Sequence, residues 1–142
     1  MPSFSQRSLD NLSQCHPDLQ LIFNTVVRDF DCTVICGHRG KEEQEKAYAE
    51  GKSKARWGES KHNLQPSMAA DVVPYPIDWN DTDRMRHFAG YVKGVASILY
   101  GLEAISHKLR WGGDWDNDTE LSDNKFNDFP HFELTPPDPP AP

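Results

Sequence analysis

The run Ala69-Ala-Asp-Val-Val-Pro74 sets a carboxylate, Asp71, at the head of a β-branched apolar stretch. Valine pairs of this kind are strand text, and so apolar a strand belongs in an interior. An ionised carboxylate carried into such a strand loses its hydration at a cost of several kcal/mol unless cations or hydrogen-bond donors meet it. Any fold this chain adopts must therefore bring a partner to Asp71. The polar segment just upstream, Gly58-Glu-Ser-Lys-His-Asn-Leu-Gln-Pro66, offers His62, nine positions away.

The rest of the chain reads as a mixture of helices and strands. Residues 17–29 set Leu19, Ile22, Phe23, Val26 and Val27 on one helical face, with Pro17 suited to a first turn. Cys32-Thr-Val-Ile-Cys-Gly37 is a predicted strand, and Gly37 to Gly40 a turn. Lys41 to Lys52 is a predicted charged helix closed at Gly51, followed by a polar loop over 52–66. Asp81 or Thr82 caps a predicted long helix over 83–105, with Met85, Phe88, Val92, Val95, Ile98, Leu99 and Leu102 at helical spacing. Leu109-Arg-Trp-Gly-Gly-Asp-Trp115, with a glycine kink or bulge, and His131-Phe-Glu-Leu-Thr135 are the last predicted strands. Between them lies an acidic loop long enough to suggest a function. Without βαβ regularity the fold class is α+β, a small antiparallel sheet flanked by helices. The length suits one catalytic domain over 1–142, with its core at about 17–134 and a loose proline-rich tail over 135–142.

Charge narrows the function. Asp and Glu number 22 against 15 Lys and Arg, a net −7, which excludes a nucleic-acid partner held through a basic stripe. No run approaches the ~20 apolar residues of a membrane span, so no stable membrane insertion is expected. The N-terminus has no charged region leading into an apolar core, and the expected location is the cytoplasm. The three cysteines, Cys15, Cys32 and Cys36, form no CxxC pair; Cys32 and Cys36 read as buried small hydrophobes in a strand.

Six histidines compete for attention. His16, His87 and His107 sit beside or within helices and read as surface or capping residues, while His38 occupies a turn that could line a cleft. His62, Asp71 and His131 together supply two imidazoles and one carboxylate, the donor set of a catalytic zinc that keeps a position open for water. Zinc held so lowers the pKa of its water to ~7, and a carboxylate outside the ligand set must then move the proton. Asp128, three residues before His131, is sited for that. Spacing alone does not separate this set from unrelated polar residues, because HxxxxxxxxD and DxxH arise by chance.

Three blocks in order carry more. They are Cys36-Gly-His-Arg39 with Glu42-Glu-Gln-Glu-Lys-Ala-Tyr48 and Gly51; Ser60-Lys-His62 through Ala69-Ala-Asp71; and Arg110-Trp-Gly-Gly-Asp-Trp115 with Asp128-Phe-Pro-His-Phe-Glu-Leu134. Over about residues 30–134 the chain resembles zinc peptidases of the D-alanyl-D-alanine carboxypeptidase type, specifically the L-alanyl-D-glutamate peptidases used as phage endolysins. The resemblance implies a Hedgehog/DD-peptidase-like fold and one zinc ion on His62, Asp71 and His131. It makes Asp128 the general base and acid, and Arg39 the stabiliser of substrate carbonyl charge. Read without it, Arg39 is a surface ion pair with the following acidic helix. Two features depart from the family's common pattern. His62 and Asp71 are nine apart, where a shorter HxxGxAxD-type spacing is common, so a longer loop is expected; and Asp128 is aspartate where the carboxypeptidase branch has glutamate.

The expected function is cleavage of the L-alanyl-D-glutamate bond of bacterial peptidoglycan by a monomeric lysin that waits in the host cytoplasm. The rivals are a D-alanyl-D-alanine carboxypeptidase or dipeptidase on the same scaffold, and a non-catalytic wall-binding module. Ser60, Asp114 and Trp115 are further candidates for substrate contact, against loop shaping for Ser60 and core or rim packing for Trp111 and Trp115. Asp114, Asp116, Asp118 and Glu120 alternate like a calcium loop but lack its glycine and terminal glutamate.

Overall fold

A computed structural model of the chain describes residues 2–115 and 128–137. Most of the acidic loop, including Asp116, Asp118 and Glu120, and the end of the proline tail lie outside the described residues. Four strands, β1 (Cys32–Cys36), β2 (Ala69–Pro74), β3 (Lys108–Gly112) and β4 (Asp128–Thr135), form one antiparallel sheet in the order β1-β2-β4-β3. The helices are α1 (Gln6–Ser13), α2 (Pro17–Val26), α3 (Lys41–Ala49) and α4 (Thr82–Gly101). The expected α+β class, with a small antiparallel sheet and flanking helices, is what forms.

The sheet sorts its side chains by strand alternation. Ala70 and Val72 of β2, Phe132 and Leu134 of β4, and Leu109 and Trp111 of β3 join the apolar core with Leu19, Ile22 and Phe23 of α2 and Phe88, Ala89 and Val92 of α4. The intervening positions, Asp71 on β2, His131 and Glu133 on β4 and Arg110 on β3, take the opposite face. Register then makes them neighbours: Asp71 lies across from His131, and Arg110 across from Glu133. One face of the sheet is a core and the other a row of charge.

Helix α1 has no counterpart in the sequence reading, because its eight residues QRSLDNLS carry too few apolar positions to show a stripe. Ser5 caps it, and its buried side covers the sheet edge at β1. There Ser8 Oγ accepts from Val34 N at 3.0 Å and Asn11 Nδ2 donates to Val34 O at 2.8 Å, so polar groups of an edge strand are satisfied. The core accordingly extends ahead of Pro17 to include Leu12 and Cys15.

Two helices are shorter than their apolar patterns suggested. α2 stops at Val26, and α4 at Gly101 instead of near Ile105. Glu103 takes φ 60° and the Ala104 amide turns back to Leu99 O at 2.9 Å, a left-handed closure that ends the helix. Ile105 is still buried, but as the first core residue after the turn, while Ile98 and Leu102 are exposed. Gly51, at φ 75°, follows α3 as expected.

Asp18, in the first turn of α2, staples that helix to the turn before β3. Its Oδ2 accepts from the Ser106 amide at 2.9 Å, the His107 amide at 3.2 Å and His107 Nδ1 at 2.8 Å. His16 caps the same helix, its Nδ1 accepting from the Asp18 amide at 3.0 Å, which bears out the capping reading. Burial works against the charged Asp18, but the hydrogen bonds from His107 and Ser106 and the nearby imidazoles outweigh it and hold its pKa below the ordinary value. A depressed carboxylate contributes stability that is complete above the unfolded pKa of ~3.9 and is lost as pH falls through the folded value. Asp18→Asn is therefore expected to lower unfolding free energy by about 1–3 kcal/mol at pH 7. The gap to wild type should shrink below about pH 4. Urea unfolding at pH 7 and pH 3.5 measures it, and a gap that does not change with pH would contradict this role.

Candidate active site

The charged face of the sheet meets the loop over 52–66, and between them lies a cleft of about 1010 Å³. His62, Asp71, Asp128, His131, Arg39, Ser60 and Trp115 all line it. His62 stands in a short 3-10 turn, Lys61–Asn63, capped by Ser60, whose side chain accepts from the His62 amide at 3.2 Å. Asn63 Oδ1 accepts in return from the Ser60 amide at 3.2 Å. Ser60 thus shapes the loop while facing the cleft. The nine-residue spacing proves no obstacle: the chain runs from the turn through a cis Gln65–Pro66 bond into β2 and brings His62 Nε2 to 3.1 Å from Asp71 Oδ1.

His131 arrives from the other side. Its Nδ1 lies 3.3 Å from the same oxygen, Asp71 Oδ1. Both imidazoles are held from behind. His62 Nδ1 is 2.7 Å from Gly37 O, a contact that makes Nδ1 a donor and turns Nε2 toward Asp71. His131 Nε2 is 2.8 Å from Glu133 Oε1, leaving Nδ1 toward Asp71. A carboxylate or carbonyl behind each imidazole is the arrangement that orients metal-ligating histidines, so the donor set fits a divalent metal.

Cys36 also approaches, which corrects its reading as a buried hydrophobe. The register shift between Val34 and Cys36 places Cys36 opposite Asp71, and its Sγ lies 3.9 Å from His62 Nδ1. Cys36, His62 and Asp71 also bring one ligand atom each within 4.8 Å of one another, so the thiolate is a rival third donor among the described residues. Convergence of Nε2 and Nδ1 on one Asp71 oxygen favours His131 as the third donor.

Arg39 is drawn into the site, its ion pair made with Asp71 and not with the carboxylates of α3. Its amide donates to His62 O at 2.8 Å, its Nη2 lies 3.3 Å from Asp71 Oδ2, and its Nη1 donates to Gln44 Oε1 at 3.1 Å. Asp71 therefore spends one oxygen on Arg39 and the other on the histidines. Gln44, fully buried, was not foreseen as a site residue. Its amide nitrogen reaches Ser53 Oγ at 3.0 Å and Ala55 O at 2.7 Å, and its oxygen also accepts from Asn63 at 3.2 Å. It ties Arg39, the His62 turn and the cleft-wall loop together. Glu133, likewise missed, has its second oxygen held by Arg110 at 2.7 Å and Lys61 at 3.3 Å. Strand alternation could have found it, since it lies two residues from His131.

Other expectations divide. Trp115 lines the cleft, its ring tilted against His131 at 5.3 Å, while Trp111 is buried and donates to Phe129 O at 2.7 Å: rim and core. Asp114 does not line the cleft. Its amide bonds Trp111 O at 3.0 Å and its side chain is turned into the fold, where its charge acts on Lys93. His38 also stays outside the lining residues.

Electrostatics separates the two site aspartates. Burial pushes the Asp71 pKa up, but the His62 charge and the hydrogen bonds from His131 and His62 outweigh it and hold it far below the carboxylate range. Burial opposes charge on His62 too, yet Asp71 raises its pKa to about 10, and His131 moves up for similar reasons. Glu133 is drawn down to about 2 despite burial, by His131 and Arg110. Asp128 goes the other way, pushed up to about 6 by burial and by the negative charge of Asp71.

Two imidazoles and a carboxylate converging beside a second carboxylate, all open to one cleft, have the donor composition of a catalytic metal site. The family described as phage L-alanyl-D-glutamate peptidase matches residues 2–135, and the chain belongs to that family. It is 29% identical over 119 residues to the peptidoglycan L-alanyl-D-glutamate endopeptidase CwlK of Bacillus subtilis (strain 168). That match covers 77% of this chain and 64% of CwlK, so the chain spans just under two thirds of that relative. Its structure is similar to the crystal structure of the Serratia marcescens L-Ala D-Glu endopeptidase ChiX, with a TM-score of 0.70 and 26% identity over 94% of this chain and 91% of that one.

The position of Asp128 depends on its neighbour across the sheet. The β3–β4 register shifts between Trp111 and Gly112, as the expected glycine bulge requires, and Gly112 faces Asp128. A Cβ at Gly112 would sit 2.0 Å from Asp128 O and 2.9 Å from Asp128 Cβ. Gly112→Ala is expected to cost about 1–3 kcal/mol of stability through overpacking and to displace Asp128. Denaturant unfolding together with a crystal structure of the variant checks both; an unmoved Asp128 at wild-type stability would contradict the close approach.

Proposed function

We propose that the protein is a zinc-dependent endopeptidase that hydrolyses the L-alanyl-D-glutamate bond of peptidoglycan stem peptides, acting as a monomer. One observation carries the reading: His62 Nε2 and His131 Nδ1 meet at Asp71 Oδ1, at 3.1 and 3.3 Å, in a cleft that Asp128 also lines. Family membership and the bond named for CwlK and ChiX support the substrate.

His62, Asp71 and His131 would hold the zinc ion. When bound there, zinc supplies Lewis acidity that makes water nucleophilic near neutral pH and polarises a carbonyl. Glu133 and Gly37 O keep both imidazoles in the orientation that presents the free nitrogen. Arg39 fixes the far oxygen of Asp71 and, as part of the cleft wall, offers guanidinium donors to negative charge growing on the substrate carbonyl. Asp128 takes the proton from the attacking water on a carboxylate oxygen and delivers it to the leaving amide nitrogen.

Asp128→Asn is expected to reduce kcat/KM on purified muropeptides by roughly 10²–10⁴-fold, the usual contribution of a general acid–base group, while retaining one zinc per chain. His62→Ala should lose zinc and activity together, and a chelator should silence the wild type until zinc is restored. Mass spectrometry of the fragments decides the bond. Release of terminal D-alanine in place of products cut after L-alanine would turn the reading to the carboxypeptidase rival, and full activity in Asp128→Asn would falsify the proton-shuttle role.

We also propose that the enzyme is a phage lysin held in the host cytoplasm until a pore admits it to the wall; the family's phage description supports this. Among the described residues no helix is long and apolar enough to cross a membrane. Cells expressing the chain in the cytoplasm should stay intact until their membrane is permeabilised and then lyse, with optical density as the readout. Lysis without permeabilisation would contradict it.

A further inference from the structure

The cleft is larger than a dipeptide requires. Pockets for drug-sized ligands run from about 300 to 1,000 Å³, and this one reaches about 1010 Å³. Its wall holds two kinds of chemistry. Arg110, Lys52, Lys54 and Lys61 are cations, Arg110 and Lys61 already paired with Glu133. Trp79 is different: an indole that lines the cleft and is 54% exposed.

A single exposed aromatic means little by itself, but one that lines a site presents a broad apolar face to whatever occupies it. Trp79 is presented from a segment with little freedom. Arg84 of α4 donates to Tyr75 O at 2.6 Å and Pro76 O at 2.9 Å. Asp78 then accepts from the Asn80 amide at 3.0 Å and the Asp81 amide at 3.2 Å. Asp81 in turn caps α4 by accepting from the Arg84 amide at 3.1 Å. The same arginine is thus anchored by the helix start and clamps the strand exit, fixing the turn on both sides of Trp79.

Covalent chemistry says what must lie near. In peptidoglycan the nitrogen of the stem L-alanine is acylated by the lactyl group of a muramic acid. Lactyl plus alanine is about two residues of chain, or about 7 Å fully extended. An enzyme that cuts just after that alanine therefore meets a pyranose ring within the reach of its own cleft. A pyranose has an uncharged face of C–H groups, which an indole covers and an ammonium group does not.

We propose that Trp79 is the glycan platform of the cleft, stacking on the muramic acid ring that carries the stem peptide. The inference rests on the L-alanyl-D-glutamate reading above. It makes Trp79 a specificity-determining residue: it favours wall-attached or sugar-bearing stems over free peptide.

The test compares two substrates of identical peptide sequence, one bearing the disaccharide and one with an acetyl group in its place. Wild type should show a higher kcat/KM on the disaccharide peptide. Trp79→Ala should lower the ratio of the two kcat/KM values about tenfold, equivalent to about 1.4 kcal/mol, with Trp79→Phe recovering most of it. If Trp79→Ala does not fold, a folded Trp79→Phe with a ratio between wild type and unity still supports the platform. An unchanged ratio in a folded variant, equal losses on both substrates, or a wild-type ratio of one would each overturn it. Failure of wild type to cut either substrate after L-alanine would instead overturn the reading beneath it.

Discussion

A single carboxylate on the middle of a sheet organises this molecule. Asp71 sits on β2, flanked by β1 and β4, with its side chain only 13% exposed. Water reaches little of it there, and the fold supplies cationic and hydrogen-bonding partners from three directions: Arg39 after β1, His62 from the 3-10 turn, and His131 from β4. Removing one partner of a buried charge is more damaging than never having buried it, because the remaining charge is left uncompensated. The loop, the turn and the strand register are therefore tied to one another through this group, and the residues behind them inherit the constraint. Gln44 must hold Arg39, and Glu133 must hold His131, for the arrangement to be reproducible.

That the same sheet carries the core follows from alternation. Phe132 and Leu134 serve one face and His131 and Glu133 the other, so four consecutive residues of β4 belong alternately to stability and to chemistry. A slip of one residue would exchange the two sets and bury the charges among α2 and α4. The bulge at Gly112 has its place in this logic, because it lets Asp128 approach β3 without shifting the pairing from Trp111 to Lys108.

Much of this was legible in the sequence. The strands and the two long helices could be read because apolar periodicity survives in one dimension, and the ordered polar blocks held Arg39, His62, Asp71, Asp128 and His131, which all line one cleft. Four things could not. α1 is stabilised by covering a sheet edge with Ser8 and Asn11, which leaves no apolar stripe to see. Cys36 reaches the site through a register shift that spacing does not encode. Asp114 and Trp115 are adjacent in the chain, yet the turn after Gly112 sends one into the fold and the other to the cleft. Gln44 stood in a quoted block without a role, since nothing in a run of charged helix residues says which will be buried.

The site's carboxylates also distribute their work by environment. Glu133 is balanced by Arg110 and Lys61, and Asp71 by Arg39 and the imidazoles, so both are held as anions. Asp128 is half-buried beside them, and its desolvation together with the charge on Asp71 outweighs the nearby His131, His62 and Arg39 and pushes it up to about 6. Groups of the same chemical type whose pKa values are pushed apart are suited to different tasks. A carboxylate that stays charged is a fixed counterion or ligand; one that gains and loses a proton near neutrality is a carrier. By that reasoning the surroundings of Asp71 favour a fixed charge and those of Asp128 a group that exchanges its proton, the division on which the proposed roles rest.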